Sequence, residues 1–318
     1  MRSYLFKTTW QTIVTVVLAS FLLFVAISFL PGDPLRGLFG FRRPDPDVLA
    51  DLHAQFHMDE PLLKQYFLYM TDLFRGDLGR SLPEDLAGTI TSGPPISSIL
   101  GSAIPTSLVI VGGALVVQVI LAPIIALVGG MKPHSRLDRN VHAWATLAVA
   151  FPVIVSTYLL QAVFGRWIPI LPPTWMFDQT WQNYVIPIVA LGVSLAAYAG
   201  LVARSEMQDV LKRSYIKMAR ASGIPPWRVV AIHAVRPSIG PVLRLTAANI
   251  SALITGLLIV EITYQAPGFG NMIYNAIKTQ DRSLLLTSLL IVLILVILVN
   301  RSADIIHATI DPRVRLEG

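Results

Sequence analysis

Glu261 is the one acidic residue in a long apolar stretch that runs from Arg244 to Lys278. A carboxylate in an apolar segment is expensive to bury, so it commonly marks a solute or ion pathway. Small or weakly polar residues, which line helix contacts or water-filled paths, share the stretch: Thr246, Asn249, Ser251, Thr255 and Gly256. We take Glu261, Asn249, Thr255 and, in an earlier apolar stretch, Gln161 as candidate pathway or gate residues. A structural hydrogen bond at Glu261 and plain helix packing elsewhere stay open as alternatives.

A second feature is a basic segment from Arg204 to Arg244, which contains eight Lys and Arg residues. So many charges exclude this segment from a bilayer. Its pattern predicts two helical pieces, Glu206–Ser222 and Pro226–Val235, broken at Gly223, because Gly ends helices and Pro begins them. Small residues just before Gly223 allow close approach of another protein. Two functions remain open from the residues alone: apolar side chains (Ile216, Met218 and Ile224) seated in a partner's groove, or a basic helix lying on anionic lipid.

Residues for enzyme chemistry are sparse. The chain has no Cys, which excludes disulfides and thiolate sites. His53 and His57 are four residues apart, but zinc normally requires three or four ligands. No Ser/His/Asp set, no paired carboxylates and no phosphate-binding loop of the form G-x-x-x-x-G-K-[S/T] are present. The sequence therefore predicts no catalytic site, no metal site and no ATP site of its own.

The charges that exist are spaced to leave long apolar gaps. Hydrophobic residues make up 54% of the chain, charged residues only 14%, and the mean hydropathy is +0.62. A soluble domain carries about 25% charged residues, whereas a membrane-spanning helix needs about 20 apolar residues. Continuous apolar runs without strand-like alternation favour helices over a barrel. Six spans are predicted: Trp10–Leu30, Thr106–Val128, His142–Phe164, Tyr184–Ala203, Leu243–Tyr264 and Leu284–Ile305.

The distribution of Lys and Arg predicts the orientation. With a cytoplasmic N-terminus, the inside segments hold 16 Lys and Arg against 6 Asp and Glu, and the remaining segments hold 9 against 13. This asymmetry favours cytoplasmic N- and C-termini and accounts for the basic balance without nucleic acid. The first apolar run is followed by Pro-Gly-Asp-Pro rather than a small-x-small cleavage site, which favours a retained span over a signal peptide.

Four parts are therefore expected along the chain. Residues 1–30 form the first transmembrane helix, and residues 31–94 form an external loop with short amphipathic helices, as the spacing of Leu62, Tyr66 and Tyr69 indicates. Residues 95–308 form the transmembrane core, which includes the basic loop 204–244, and residues 309–318 form a tail. The turn Pro267-Gly-Phe-Gly270 is either re-entrant or a plain tight turn, with glycines available for positive φ.

The segment Tyr215-Ile-Lys-Met-Ala-Arg-Ala-Ser-Gly223, followed ten residues later by His233-Ala-Val-Arg236, resembles the EAA loop of ABC-importer permeases in the oligopeptide/dipeptide (and nickel) family. Lys217 and Met218 stand where that motif usually has Glu and Ala, which is a departure from it. Further motifs match the family in order along nearly the whole chain: Leu30-Pro-Gly-Asp-Pro34, Asp59-Glu-Pro61, Arg75-Gly-Asp-Leu-Gly-Arg-Ser81, Pro105-Thr106, Glu261 with Pro267-Gly-Phe-Gly270, and Asp311-Pro-Arg-Val-Arg315. The chain is thus similar to first-permease (B-type) subunits.

The resemblance implies an all-α integral membrane protein with six transmembrane helices, the type I ABC-importer permease fold, a cytoplasmic coupling helix and a long external loop. It implies ATPase-coupling residues, which are Tyr215, Lys217, Met218, Ala219, Arg220, Ala221, Ser222, Gly223, Ile224, His233 and Arg236. It also implies external-loop residues, which are Asp77, Gly79, Pro267, Gly268 and Gly270.

The resemblance further implies partners and a function. The partners are a homologous second permease, two cytoplasmic ABC ATPases that bind ATP and Mg, and an extracytoplasmic solute-binding lipoprotein, all at a bacterial or archaeal cytoplasmic membrane. The chain itself would bind no cofactor. The expected function is the translocation pathway of an ATP-driven importer for di- or oligopeptides, with nickel, glutathione or another small solute as alternative cargo. A secondary transporter, a channel and a passive anchor are alternatives from other classes.

Overall fold

The computed structural model describes residues 2–30, 46, 59–81, 93–131, 133–176, 180–225, 228–229 and 250–310. Within these ranges the chain forms helices joined by turns and irregular segments, with an isolated antiparallel bridge between Arg80 and Pro95. A π-helical segment, Gln161–Trp167, continues α5. The helices are α1 (Arg2–Ser28), α2 (Leu62–Phe74), α3 (Ile96–Gly130), α4 (Arg136–Ala150), α5 (Val153–Leu160), α6 (Gln182–Lys212), α7 (Ser214–Ala221), α8 (Ile250–Tyr264), α9 (Phe269–Lys278) and α10 (Arg282–Ile310).

Four helices in the described ranges are individually long and apolar enough to cross a membrane, namely α1, α3, α6 and α10. The number rises to as many as six if two interrupted pairs, α4 with α5 and α8 with α9, each count as one span. The prediction of an all-α protein with multiple spans is confirmed. The first seven residues of the fifth predicted span, 243–249, lie outside the described residues.

The third predicted span, His142–Phe164, is not one continuous helix. α4 and α5 are bent by 103° at a break between Ala150 and Val153. The break has a local cause at Pro152, because the ring disfavours helical backbone at the preceding residue and lacks an N–H. Phe151 accordingly has φ −76° and ψ 123°, in the extended region.

Two compact units divide the chain. The terminal unit comprises Met1–Pro105 with Gly268–Gly318, and the central unit comprises Thr106–Pro267. In the terminal unit α1 packs along α10, α9 packs on α10, and α2 contacts α1. In the central unit α6 is the common partner of α4, α5 and α8.

The short helix expected in the external loop is α2, and it is anchored through its tyrosines. Tyr66 is buried among Phe21 and Phe24 of α1, with edge-on ring contacts at 5.2 and 5.6 Å. Its hydroxyl lies 2.8 Å from Ser20 Oγ. Tyr69 Oη lies 2.9 Å from Thr287 Oγ1 of α10, and burial raises the pKa of this phenol. The helix therefore packs as part of the terminal unit.

The central unit has a close seam between α3 and α6 that depends on glycine. A Cβ at Gly192 would lie 2.7 Å from Val117 Cβ, and one at Gly200 would lie 2.7 Å from Ile125 Cβ. These distances are shorter than carbon atoms tolerate, so the backbone of α6 packs directly on Val117 and Ile125 of α3, as small residues permit in membranes. Beside the seam, Ile110, Leu191 and Tyr264 belong to a buried apolar cluster that also includes α8.

Candidate functional site

α7 is a short helix closed by a glycine, as the sequence predicts. Gly223 has φ +78°. Its N–H donates to Arg220 O at 3.1 Å, and Ile224 N–H donates to Ala219 O at 3.3 Å. These two bonds form a Schellman motif, in which a left-handed residue satisfies the last carbonyls of a helix. The closing geometry thus depends on Gly223, because other residues rarely adopt this φ.

The beginning of α7 differs from the sequence expectation. A single helix was expected over Glu206–Ser222, but α6 ends at Lys212 and α7 begins at Ser214. Arg213 separates them with φ −65° and ψ 150°, an extended conformation. No Gly or Pro near Arg213 indicates this break in the sequence. Most of the second predicted piece, Pro226–Val235, lies outside the described residues.

α7 has one buried and one exposed face. Ile216 is fully buried against Met207 and Val210 of α6, with Ala219 and Ile224 also packed on this cluster. The expectation that Ile216 enters a partner's groove is therefore wrong, because this side chain is already buried against other residues of the same chain. Met218, in contrast, is 67% exposed. The other exposed members of the predicted coupling set are Tyr215, Lys217, Arg220, Ala221, Ser222 and Gly223.

The central unit also contains an ion pair, between α4 and α6, that the sequence analysis missed. Arg204 Nε donates to Asp138 Oδ1 at 2.6 Å, and Arg204 Nη2 donates to Asp138 Oδ2 at 2.9 Å. The pair lies outside the predicted spans His142–Phe164 and Tyr184–Ala203, and the guanidinium holds the pKa of the Asp138 carboxyl below its ordinary value. The two residues are 66 positions apart, so only the fold brings them together.

The opposite end of the central unit contains Glu261. This side chain is fully buried. Ser107 Oγ of α3 donates to Glu261 Oε1 at 2.6 Å. A hydroxyl donating to a carboxylate makes one of the stronger kinds of hydrogen bond in a protein, so the contact joins α8 to α3 firmly. This position of Glu261 is compatible with both alternatives from the sequence, a structural hydrogen bond and a gate residue.

Gln161 lies close to the same part of α8. Gln161 is buried in the π-helical segment, and its Nε2 donates to Thr263 O at 3.3 Å. Tyr264 Oη donates to Pro172 O at 2.9 Å, and Trp175 N–H donates to Tyr264 O at 3.0 Å. The chain after α5 is thereby fastened over the end of α8. π-Helical turns of this kind occur often at functional sites.

Of the two remaining predicted pathway residues, the structure describes Thr255, which does not join this group. Thr255 lies on an exposed part of α8, six residues before Glu261 and therefore about 9 Å along the helix axis. Asn249 lies outside the described residues, as do the coupling candidates His233 and Arg236. The histidine pair His53 and His57 also lies outside them.

The predicted external-loop residues form two separate turns. Asp77 Oδ1 accepts a bond from Gly79 N at 2.9 Å, and Gly79 has φ +79°. In the same unit, Ser81 Oγ donates to Asp281 Oδ2 at 2.5 Å, at the start of α10. The segment from Asp77 to Ser81 thus forms a tight turn, and its last residue is hydrogen-bonded to the start of α10.

The second turn, Pro267-Gly-Phe-Gly270, has its positive φ just before the motif rather than at a glycine. Positive φ occurs at Gln265, with φ +59°, whereas Gly268 has φ −104° and Gly270 lies within α9. The sequence makes positive φ available at these glycines, but the structure does not use it at either one. The left-handed residue is instead needed one position after α8 ends, where Ala266 N–H donates to Glu261 O at 2.9 Å. Pro267 is exposed beside this turn.

The fold and these sites define a class of protein: a multi-pass, all-α membrane protein with the type I permease fold. Residues 118–316 match the model of the binding-protein-dependent transport system inner membrane component, and residues 1–85 match the N-terminal model of binding-protein-dependent transport system membrane components. The chain belongs to this family of inner membrane components, and it is the permease subunit of an ABC importer. Membership in this family favours the ABC-importer hypothesis over the secondary transporter, the channel and the passive anchor.

Relatives of known name match the chain from end to end. It is 28% identical to the oligopeptide transport system permease protein OppB of Haemophilus influenzae, over 99% of this chain and 100% of the relative. It is 29% identical to the OppB protein of Salmonella typhimurium, again over 99% and 100%. It is also 27% identical to the glutathione transport system permease protein GsiC of Salmonella paratyphi A, over 99% of both chains.

Proposed function

We propose that this permease conducts di- or oligopeptides into the cell. The observation that carries the proposal is the end-to-end similarity to oligopeptide permeases, at 28 and 29% identity. The glutathione permease at 27% identity supports a second candidate, a small peptide-like solute such as glutathione. Nickel or another small solute is supported only by the resemblance of motifs.

The proposed coupling element is α7. Its exposed side chain Met218 and its basic neighbours Lys217 and Arg220 would contact one ATPase subunit, in the manner of a helix that enters a groove. The glycine-closed end at Gly223 fixes where the chain leaves that groove. Motion of the ATPases would then move α7 as a rigid body and switch access to the pathway.

The proposed gate is the group around Glu261 at the other end of the central unit. Glu261 is fully buried, and its bond from Ser107 joins α8 to α3. Gln161 and the chain after α5 are fastened to the last turn of α8. Separation of these helices would have to break the Ser107–Glu261 bond, which gives the gate a defined closed position.

The proposed complex contains a homologous second permease, two cytoplasmic ATPases that bind ATP and Mg, and an external solute-binding lipoprotein. The chain would therefore contribute no hydrolytic step itself. The Lys and Arg distribution supports cytoplasmic N- and C-termini, with α7 inside and the loop 31–94 outside. In this division the membrane core is 95–308, the first helix is 1–30 and the tail is 309–318.

Uptake by membrane vesicles that contain the complete complex tests the substrate. Labelled di- to pentapeptides should accumulate only when ATP and the solute-binding protein are both present, and unlabelled peptide should compete at least about tenfold better than glutathione. Vesicles with the complex but without the binding protein serve as the control. Competition by glutathione alone would transfer the assignment to the second candidate, and accumulation without ATP would contradict the importer mechanism.

A further inference from the structure

The ion pair between Asp138 and Arg204 joins three elements of the central unit at one carboxylate. Asp138 lies in the first turn of α4, and its N–H donates to Ser135 Oγ at the helix cap. Its Oδ2 also accepts a bond from His134 N at 2.9 Å, in the turn between α3 and α4. Arg204 reaches it from α6 with both arms of the guanidinium. The side chains are only 3% and 17% exposed.

The end of α3 is shaped to admit this pair. A Cβ at Gly129 would lie 2.8 Å from Arg204 Cδ and 3.1 Å from Asp138 Oδ1. A Cβ at Gly130 would lie 2.8 Å from Met207 Sδ. Gln208 Nε2 donates to Gly129 O at 3.2 Å. The last turn of α3 therefore rests directly on α6 between residues 204 and 208.

From this contact an unbroken path of packing leads to α7. Met207 and Val210 of α6 are buried together with Ile216 of α7, and the half-buried Leu127 of α3 packs against them. An apolar cluster resists separation but permits sliding, because its interactions are not directional. A guanidinium held by two bonds to one carboxylate has a fixed orientation. The ion pair thus supplies the directional restraint that the apolar cluster lacks.

We propose that Asp138 and Arg204 are positioning residues that tie the α3–α4 turn to α6, so that a displacement of α7 moves α3, α4 and α6 together. The inference rests on the coupling role proposed above for α7. Without the pair, α6 would shift along the end of α3, and ATP hydrolysis would continue with less transport for each ATP consumed. The pair acts through the helices, and it touches neither ATP nor solute.

The test measures solute uptake and ATP hydrolysis in the same vesicles with the complete complex. Asp138→Asn should lower uptake per ATP about fivefold, and Arg204→Lys, which keeps the charge but loses the two-armed geometry, about twofold. The double variant Asp138→Asn with Arg204→Met should be no worse than the stronger single variant, because all three remove one link. The control is Asp209→Asn, which removes the exposed ion pair to Lys212 on the same helix and should leave the ratio unchanged.

Several outcomes would overturn the inference. An unchanged ratio in Asp138→Asn at normal abundance, or losses in the double variant that multiply, would do so. If Asp138→Asn fails to accumulate in the membrane, Arg204→Lys decides alone, and an unchanged ratio contradicts the inference. Met218→Glu on α7 separates the coupling role of α7 from the positioning role of the ion pair. Normal uptake in Met218→Glu overturns both roles. Loss of uptake in Met218→Glu, with an unchanged uptake-to-ATP ratio in the ion-pair variants, overturns only the positioning role.

Discussion

At the scale of single residues, the described part of the central unit has a buried carboxylate at each end, and the bonds that hold the two differ. Asp138 is held by a guanidinium, whereas the described bond to Glu261 comes from the Ser107 hydroxyl. A bond between full charges in a buried place is difficult to open, because opening leaves a charge without compensation. A single hydroxyl bond to a carboxylate is weaker than a two-armed ion pair, although it is stronger than a bond between neutral groups. The first arrangement suits a permanent link, and the second suits a contact that breaks during transport.

Replacement of Glu261 tests whether its bond acts in transport or only in folding. Glu261→Gln keeps the shape but turns a charge-assisted bond into a neutral one of about half the strength. We expect uptake per complex to fall about fivefold while abundance and thermal stability stay near those of the unmodified protein. Uptake and melting temperature of the purified complex are the measurements.

The control for Glu261 is Thr157→Val, at a fully buried hydroxyl bonded only within its own helix as far as the described contacts show. This variant should keep uptake per complex within about twofold. A purely structural role for Glu261 would instead lower abundance or melting temperature, with uptake per complex unchanged. That result would remove Glu261 from the proposed gate.

At the scale of elements, the short helices depend on where the backbone adopts unusual conformations. α7 begins after an extended residue, Arg213, and ends at a left-handed one, Gly223. α8 ends at left-handed Gln265. These single-residue changes redirect the chain within one or two positions. The proposed coupling and gate regions are thereby placed at opposite ends of the central unit.

Glycine substitutions test the end of α7 with a matched pair. Gly223 and Gly76 both have positive φ, +78° and +84°, and neither would meet an atom within 4 Å on gaining a Cβ. Valine at either site should therefore impose a similar strain of about 1–2 kcal/mol. Gly223→Val should abolish ATP-driven uptake because it displaces the exit from α7, whereas Gly76→Val should lower uptake less than about threefold.

Both variants must remain in the membrane, which immunoblotting of washed membranes measures. Equal loss of uptake in the two would mean that backbone strain alone matters and would count against a coupling role for α7. Normal uptake in Gly223→Val would remove α7 from the coupling mechanism.

At the scale of the whole molecule, the protein is a set of apolar helices whose charged residues cluster outside the apolar runs. The inside segments proposed above hold 16 of the 25 Lys and Arg residues. Such an excess sets the orientation of a membrane protein during insertion. The same segments contain α7 and the Asp138–Arg204 pair, so orientation decides whether these elements can meet an ATPase.

The absence of cysteine makes the orientation directly measurable. Ser98 near the start of α3 and Ser214 at the start of α7 are both exposed. A membrane-impermeant thiol reagent should label Ser98→Cys in intact cells and Ser214→Cys only in inverted vesicles. The unmodified chain provides the control, because it has no thiol to react. The opposite pattern would invert the topology and would exclude α7 from the cytoplasm.

The spans could be predicted from the sequence because a bilayer excludes charge, and gaps between charges reveal where the chain crosses. The helix end at Gly223 was predictable because glycine commonly ends helices. α2 was predictable because its apolar residues recur with the helical period. The Asp138–Arg204 pair was not predictable, because each residue resembles an ordinary charge at the end of a span. The break at Arg213 has no Gly or Pro beside it, so packing rather than local preference determines it. Pro267 marks the end of α8, but nothing in the sequence indicates that Gln265 rather than a glycine is the left-handed residue.

The seam between α3 and α6 limits how this protein can diverge. A side chain at Gly192 requires a smaller residue than Val117 opposite it, and one at Gly200 requires a smaller residue than Ile125. Neither glycine can gain a side chain first, because its Cβ would clash with the facing helix; the facing residue must become smaller beforehand. The two helices must therefore evolve in compensating pairs, while their lipid-facing sides can drift freely among apolar residues. This close contact thus constrains the sequences of both helices at the same positions.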